Sequence, residues 1–131
     1  MDRRLAATLA AALAVATFVP ASIAQAPGIK RTLLQKSDVS ATQEVVLGMA
    51  EIAPGGTTGR HTHFGVETGY VLEGGATMLI DGQPPREMKA GDTYLIPAGV
   101  VHEAKVSGAA PGKVLATYVV EKGKPLATPA P

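Results

Sequence analysis

The sequence predicts an all-β fold, a sandwich or barrel of antiparallel strands. Three observations carry that expectation. The 131 residues include 15 Gly and 10 Pro, a density of turn formers that a helical bundle does not tolerate. Between positions 42 and 121 the apolar residues come in short runs, with turn signals every eight to twelve residues. No segment in that range repeats apolar residues at the helical period behind a capping residue.

Composition sets the outer limits. One domain is expected at about this length. The formal net charge is +1, from 12 basic and 11 acidic residues, which is not the basic stripe of a nucleic-acid surface. Cys is absent, so disulfide scaffolds, thiolate zinc sites and cysteine nucleophiles are excluded. No repeat occurs at the period of a solenoid or propeller.

Residues 1–24 have the composition of a secretory signal peptide. Arg3 and Arg4 give a positive start, and Leu5 to Val19 is an uncharged, apolar run. Pro20 breaks the run, and Ser22 and Ala24 are the small pair before a cut after Ala24. The run of 15 residues is shorter than the about 20 that a bilayer span needs. Cleavage would leave 107 residues with ten basic and ten acidic groups, since Asp2, Arg3 and Arg4 depart. The expectation is export across the inner membrane to the periplasm, with membrane contact only through this segment before cleavage.

The remaining chain reads in order. Residues 25–41 are polar and read as an irregular N-terminal arm. The β domain covers 42–121. Glu44 to Ile52 is its first strand, with Val45, Leu47 and Met49 on one parity and Val46, Ala50 and Ile52 on the other. Apolar residues on both parities predict burial on both faces. Pro54-Gly55-Gly56 ends it. Gly69 to Glu73 and Ala76 to Ile80 are strands separated by Gly74-Gly75, and Asp81-Gly82 is a hairpin turn. Pro84 and Pro85 cannot donate to a ladder and belong to a loop or an edge. Ala90-Gly91-Asp92 turns into a strand at Thr93 to Ile96, and Pro97-Ala98-Gly99 turns into another at Val101 to Val106. Ser107 to Gly112 is a loop of small residues. Val114 to Glu121, rich in β-branched residues, is the last of seven or eight strands. Residues 122–131 carry three Pro and read as a flexible tail.

The three His are the main chemical clue. His61 and His63 are two apart, so on an extended strand both rings face one side. Glu67 follows past Gly65, and a bend there can return its carboxylate to the same space. His102 lies on a later strand. Three neutral imidazoles and one carboxylate form a normal ligand set for a divalent transition metal. Taken singly, a strand His is commonly a packed or surface residue, and Glu67 would be a surface acid.

The spacing of these residues resembles a known family. From Gly55 the sequence runs Gly, five residues, His61, one, His63, three, Glu67, six, Gly74. From Gly91 it runs Gly, five residues, Pro97, one, Gly99, two, His102. These resemble the two motifs of the cupin family, and the sixteen residues between them suit the compact bacterial spacing. The resemblance covers 55–106 and implies a jelly-roll β-barrel of antiparallel strands. It implies His61, His63, Glu67 and His102 as metal ligands, for Fe, Mn, Ni, Zn or Cu. The second motif often ends in Asn four residues after its His, where this chain has Val106.

Other residues carry weaker expectations. Each ligating ring needs an acceptor for its other N–H, and Glu73 shares the strand parity of Glu67. Tyr70, Tyr94 and Tyr118 are expected in core or interface. Arg60 and Arg86 are candidates for an anionic ligand or for plain surface. A Ser-His-Asp arrangement is not expected, because every His belongs to the motif pair. The functional reading is a metal-dependent enzyme of dioxygenase or isomerase type acting on a small organic molecule. The alternative is a non-catalytic module that binds a metal or small ligand. An assembly role with a vestigial site is the weakest, since all four side chains of the motif are present. A homodimer pairing through the 44–52 strand is expected.

Overall fold

A computed structural model describes residues 27–131, so the leader read over residues 1–24 lies outside the described residues. The described residues form strands and turns only. The strands are β1 (Ile29–Asp38), β2 (Gln43–Ile52), β3 (His61–Thr62), β4 (Gly65–Glu73) and β5 (Gly75–Ile80). They continue with β6 (Arg86–Lys89), β7 (Thr93–Ile96), β8 (His102–Lys105), β9 (Gly112–Glu121) and β10 (Thr128–Pro129). Two five-stranded sheets result, in the orders β1-β2-β9-β4-β7 and β10-β3-β8-β5-β6. Every pairing is antiparallel. Without the flanking β1 and β10, each sheet has four interleaved strands, which is the jelly roll the motifs implied.

The core lies between the sheets. Ile29, Ile52 and Val71 from the first sheet pack against Met78, Met88 and Ala104 from the second, with Val106 just beyond β8. Each such fully buried large side chain stabilises the fold by about 1.5–3 kcal/mol relative to exposure. Alternation along β2 is clear. Val46 and Ile52 are buried, while Val45, Leu47 and Met49 stay half-buried on the outer face. Burial of β2 on both faces is therefore met on one face only.

β6 (Arg86–Lys89) and the first four residues of β4 carried no strand expectation, and two longer segments also differ from the sequence reading. The arm at 25–41 is largely β1, paired along β2 from Ile29↔Ile52 to Asp38↔Glu44 with a bulge between Leu33 and Gln35. From Leu33 onward it is exposed on both faces. Backbone pairing rather than burial defines it there, so no apolar period marks it. The tail at 122–131 is also tied down. Thr128 pairs with Thr62 and Pro129 with His61, and the Ala130 amide donates to the Arg60 carbonyl. Its Pro residues fit because β10 is an edge strand.

Candidate metal centre

The second sheet brings the imidazoles together. His61 and His102 are direct partners on β3 and β8, so their rings lie side by side with centroids 4.2 Å apart. His63, one residue past β3, keeps the parity of His61 and meets its ring edge-on at 4.8 Å. Glu67 arrives from the opposite sheet, on β4 between Tyr118 of β9 and Ile96 of β7. Gly65 permits this entry, because a Cβ there would stand 1.9 Å from the Val119 carbonyl oxygen. All four side chains are buried, and their ligand atoms lie within 4.8 Å of one another.

Main-chain carbonyls set the tautomers. His61 Nδ1 lies 2.7 Å from the Gly59 carbonyl oxygen, and His102 Nδ1 lies 3.0 Å from that of Val100. His63 Nδ1 meets the carbonyl of Leu126 in the tail. A carbonyl only accepts, so each Nδ1 carries a proton and donates it. In the neutral rings, Nε2 is then a bare lone pair. His63 Nε2 and His102 Nε2 both face Glu67 Oε2, at 2.8 Å and 3.0 Å. His63 Nε2 is buried, yet it has no aligned hydrogen-bond partner. An orphaned buried nitrogen, beside two more imidazoles and a carboxylate, fits a divalent metal of the borderline class.

Electrostatics favour a neutral His61 and an ionised Glu67. Burial is the main cause that lowers His61 to a pKa of about 4, so its ring stays neutral at ordinary pH. Burial pushes Glu67 upward, but contacts with His102 and His63 outweigh it and hold the carboxyl well below its usual range. Burial lowers His102, and the Glu67 carboxylate more than restores it, leaving it raised.

Tyr94 is a site residue that sequence reasoning assigned to core or interface. Its hydroxyl donates to Glu67 Oε1 at 2.7 Å. Burial first, then the Glu67 charge, raises the pKa of this phenol, so it stays a donor. Its ring lies over Gly69, where a Cβ would stand 2.3 Å from Tyr94 Cζ. Tyr118 stands on the other side of Glu67, with its ring 4.9 Å from that of His63. The signal for both was parity. Tyr94 alternates with the buried Ile96, and Tyr118 with the buried Ala116 and Val120.

Other candidates fall outside the site. Glu73 is exposed and pairs with Lys113 at 3.1 Å, because a bulge between Val71 and Glu73 breaks the parity it shared with Glu67. Arg60 forms a two-pronged pair with Asp81 at 3.0 Å on the surface. Arg86 and Tyr70 are exposed.

With fold and site in view, the comparison with known proteins is direct. The cupin domain family matches residues 48–118, more than half of the chain, and the chain belongs to that family. It is 34% identical over 82 residues to germin-like protein subfamily 2 member 2 of Arabidopsis thaliana, covering 59% of this chain and 37% of that one. It is 38% identical over 72 residues to the dimethylsulfoniopropionate lyase DddW of Ruegeria pomeroyi, covering 55% and 46%. The matched regions thus span less than half of either relative. The solved structure of the DMSP lyase DddQ from Ruegeria pomeroyi DSS-3 aligns with a TM-score of 0.66 at 20% identity, over 78% of this chain and 51% of that one. An oxalate oxidase aligns with a TM-score of 0.59 at 26% identity, over 70% and 50%. At these identities the DddQ likeness concerns fold alone.

Proposed function

We propose that this chain is an exported, metal-dependent enzyme acting on a small organic molecule. His61, His63, Glu67 and His102 are its metal ligands. The observation that carries this reading is the set of three Nδ1–H bonds to main-chain carbonyls, which leaves the Nε2 lone pairs free to coordinate. A divalent ion held there supplies Lewis-acid or redox chemistry toward an oxygen-bearing ligand. The protein's part is to keep the His61 ring neutral, to hold Glu67 ionised, and to fix it with the Tyr94 proton. The similarity to a lyase and to an oxidase supports elimination or oxidation alongside the isomerase type. The alternative, a non-catalytic binding module, draws on the small size of the interior cavity, about 40 Å³.

One preparation tests the reading. The full sequence is expressed with its leader in a bacterial host, and the periplasmic protein is weighed intact and assayed for metal. A chain beginning at Gln25 with about one metal per chain is expected, and a His61→Ala/His102→Ala variant should hold none. Equal, negligible metal in both after remetallation at neutral pH would sink the metal reading. An uncleaved chain confined to the cytosol would sink export. Turnover of no small substrate by the loaded protein would leave the binding module.

A homodimer through the outer face of the first sheet belongs to the same reading. Val66, Tyr70 and Leu95 stand 40%, 46% and 62% exposed on that face. The row Lys30–Glu51–Lys113–Glu73 closes one end of it with ion pairs inside the chain. A second copy is the occupant that such an exposed apolar row suits. A monomer mass at micromolar concentration would overturn it.

A further inference from the structure

All four candidate ligands are buried, so an ion reaches them only when some part of the wall moves. The long ladders are the hardest part to move, since β2 and β9 share ten registered pairs. β3, which begins at His61, is held far more lightly. It has one registered pair with β8, and just past it the Gly99 amide donates to the His63 carbonyl. Its other edge has two registered pairs with β10. The segment after β9 therefore gives this ligand-bearing strand as much pairing as the body of the sheet does.

That segment is built like a strap. Its start is fixed, because the Lys122 amide donates to the Thr42 carbonyl and Lys122 Nζ lies 2.7 Å from Asp38. Gly123 follows at a φ of 75°, a turn conformation that glycine takes without strain. None of residues 122–131 belongs to the buried core. The Thr128 hydroxyl is buried without a partner, a cost that makes the docked state easier to leave. Midway along, the Leu126 carbonyl takes the His63 Nδ1 proton. The far end meets Arg60. The Arg60 carbonyl accepts the Ala130 amide, and Arg60 Nε–H donates to the Pro131 main-chain oxygen at 2.6 Å. The same guanidinium is fixed on two prongs by Asp81 at 3.0 Å. Asp81 follows Ile80, the registered partner of His102. One surface arginine thus ties the strap both to the strand of His61 and to the turn beside the partner of His102.

We propose that residues 126–131 form a strap, latched by Arg60, that holds His63 from behind and sets how readily the metal enters and leaves. Arg60 is then a positioning residue, acting through the strap. With the strap docked, the Nδ1–H bond keeps His63 Nε2 aimed at the site. With the strap released, the ring loses its acceptor and β3 loses one edge, so His63 can turn away. A metal on Nε2 and a carbonyl on Nδ1 favour the same ring position, so each strengthens the other. This is a regulation of the metal centre in the proposed function, and it rests on that centre.

The experiment loads the protein with zinc and follows zinc release to excess chelator. The chain has no Cys, so Thr62→Cys/Thr128→Cys can form only one disulfide. These two residues are registered partners, and antiparallel partners stand at a Cα spacing that a disulfide spans. The oxidised form is expected to release zinc about tenfold more slowly than the same protein reduced. Arg60→Ala should speed release about fivefold, the change that losing one net hydrogen bond makes in an open–closed equilibrium. Arg60→Lys should fall between. The urea midpoint of the metal-free Arg60→Ala protein should stay near wild type, because an exposed ion pair contributes little. A lowered midpoint with unchanged release would make Arg60 a structural residue and overturn the latch. In the wild type, zinc should slow hydrogen exchange at the Ala130 amide about tenfold. Exchange there that is indifferent to zinc would overturn the strap even if the cysteine variant failed to fold. Equal release from the oxidised and reduced forms would overturn it too, and would leave the metal centre standing. Zinc uptake by none of the forms would overturn the metal centre and the strap with it.

Discussion

In the β10-β3-β8-β5-β6 sheet, the site's side chains are oriented by main chain. His61 and His102 each donate Nδ1–H to the carbonyl two residues earlier, and His63 donates to Leu126. In the β1-β2-β9-β4-β7 sheet, the site is oriented by a side chain, since Glu67 Oε1 takes its hydrogen bond from the Tyr94 hydroxyl. The difference has a mutational consequence. A carbonyl acceptor survives substitution of its own residue, whereas a phenol does not. The imidazole half is therefore robust to point changes around it, and the carboxylate half is tunable.

Gly69→Ala should disturb the carboxylate half most. The new Cβ would stand 2.3–2.4 Å from Tyr94 Cζ, Cε1 and Oη, so the ring must leave its place. Overpacking of this kind costs about 1–3 kcal/mol, read as a lowered midpoint in urea unfolding. The Tyr94–Glu67 bond should go with it, weakening zinc as well. An unchanged midpoint would show that the ring has another place to lie.

The imidazole half has one acceptor that chain shortening can remove. Ending the chain at Pro125 takes away the Leu126 carbonyl and with it the partner of His63 Nδ1. It also removes β10, whose ladder to β3 has two registered pairs. Losing an acceptor behind a metal-bound imidazole commonly costs about 10–100-fold in affinity. Competition with a zinc indicator reads that loss. Leu126→Ala keeps the carbonyl and should stay close to wild type. Equal weakening by both changes would mean that the Leu126 side chain, and not its carbonyl, supports His63.

Much of the fold was legible in the sequence, because turn chemistry and parity are local. Thr93 to Ile96 was read with the bounds of β7, and the turn at Asp81-Gly82 carries its positive φ of 79° at Gly82. The four candidate ligands were legible for a different reason. Their spacing in two motifs is a sequence property, and the cross-strand register of His61 with His102 brings the motifs together. What escaped were elements defined by their partners. β1 has few buried side chains, β10 is made of two residues, and both exist because a neighbouring strand offers free backbone groups. Glu73 misled because a bulge, invisible in a single sequence, shifts parity after Val71.

The gentlest test is Tyr94→Phe. It removes one hydroxyl and leaves the ring over Gly69, so packing is kept. The lost hydrogen bond goes to a charged acceptor, which puts the stability change at about 1.5–3 kcal/mol at most, less any water that replaces the hydroxyl. Zinc affinity should fall about tenfold, the low end for losing an outer hydrogen bond to a ligating carboxylate. A structural role alone would lower the unfolding midpoint of the metal-free protein and leave zinc affinity unchanged. A positioning role does the reverse, because a free Glu67 carboxylate can rotate before it coordinates. The pair of readings thus decides whether Tyr94 holds the fold or aims the ligand.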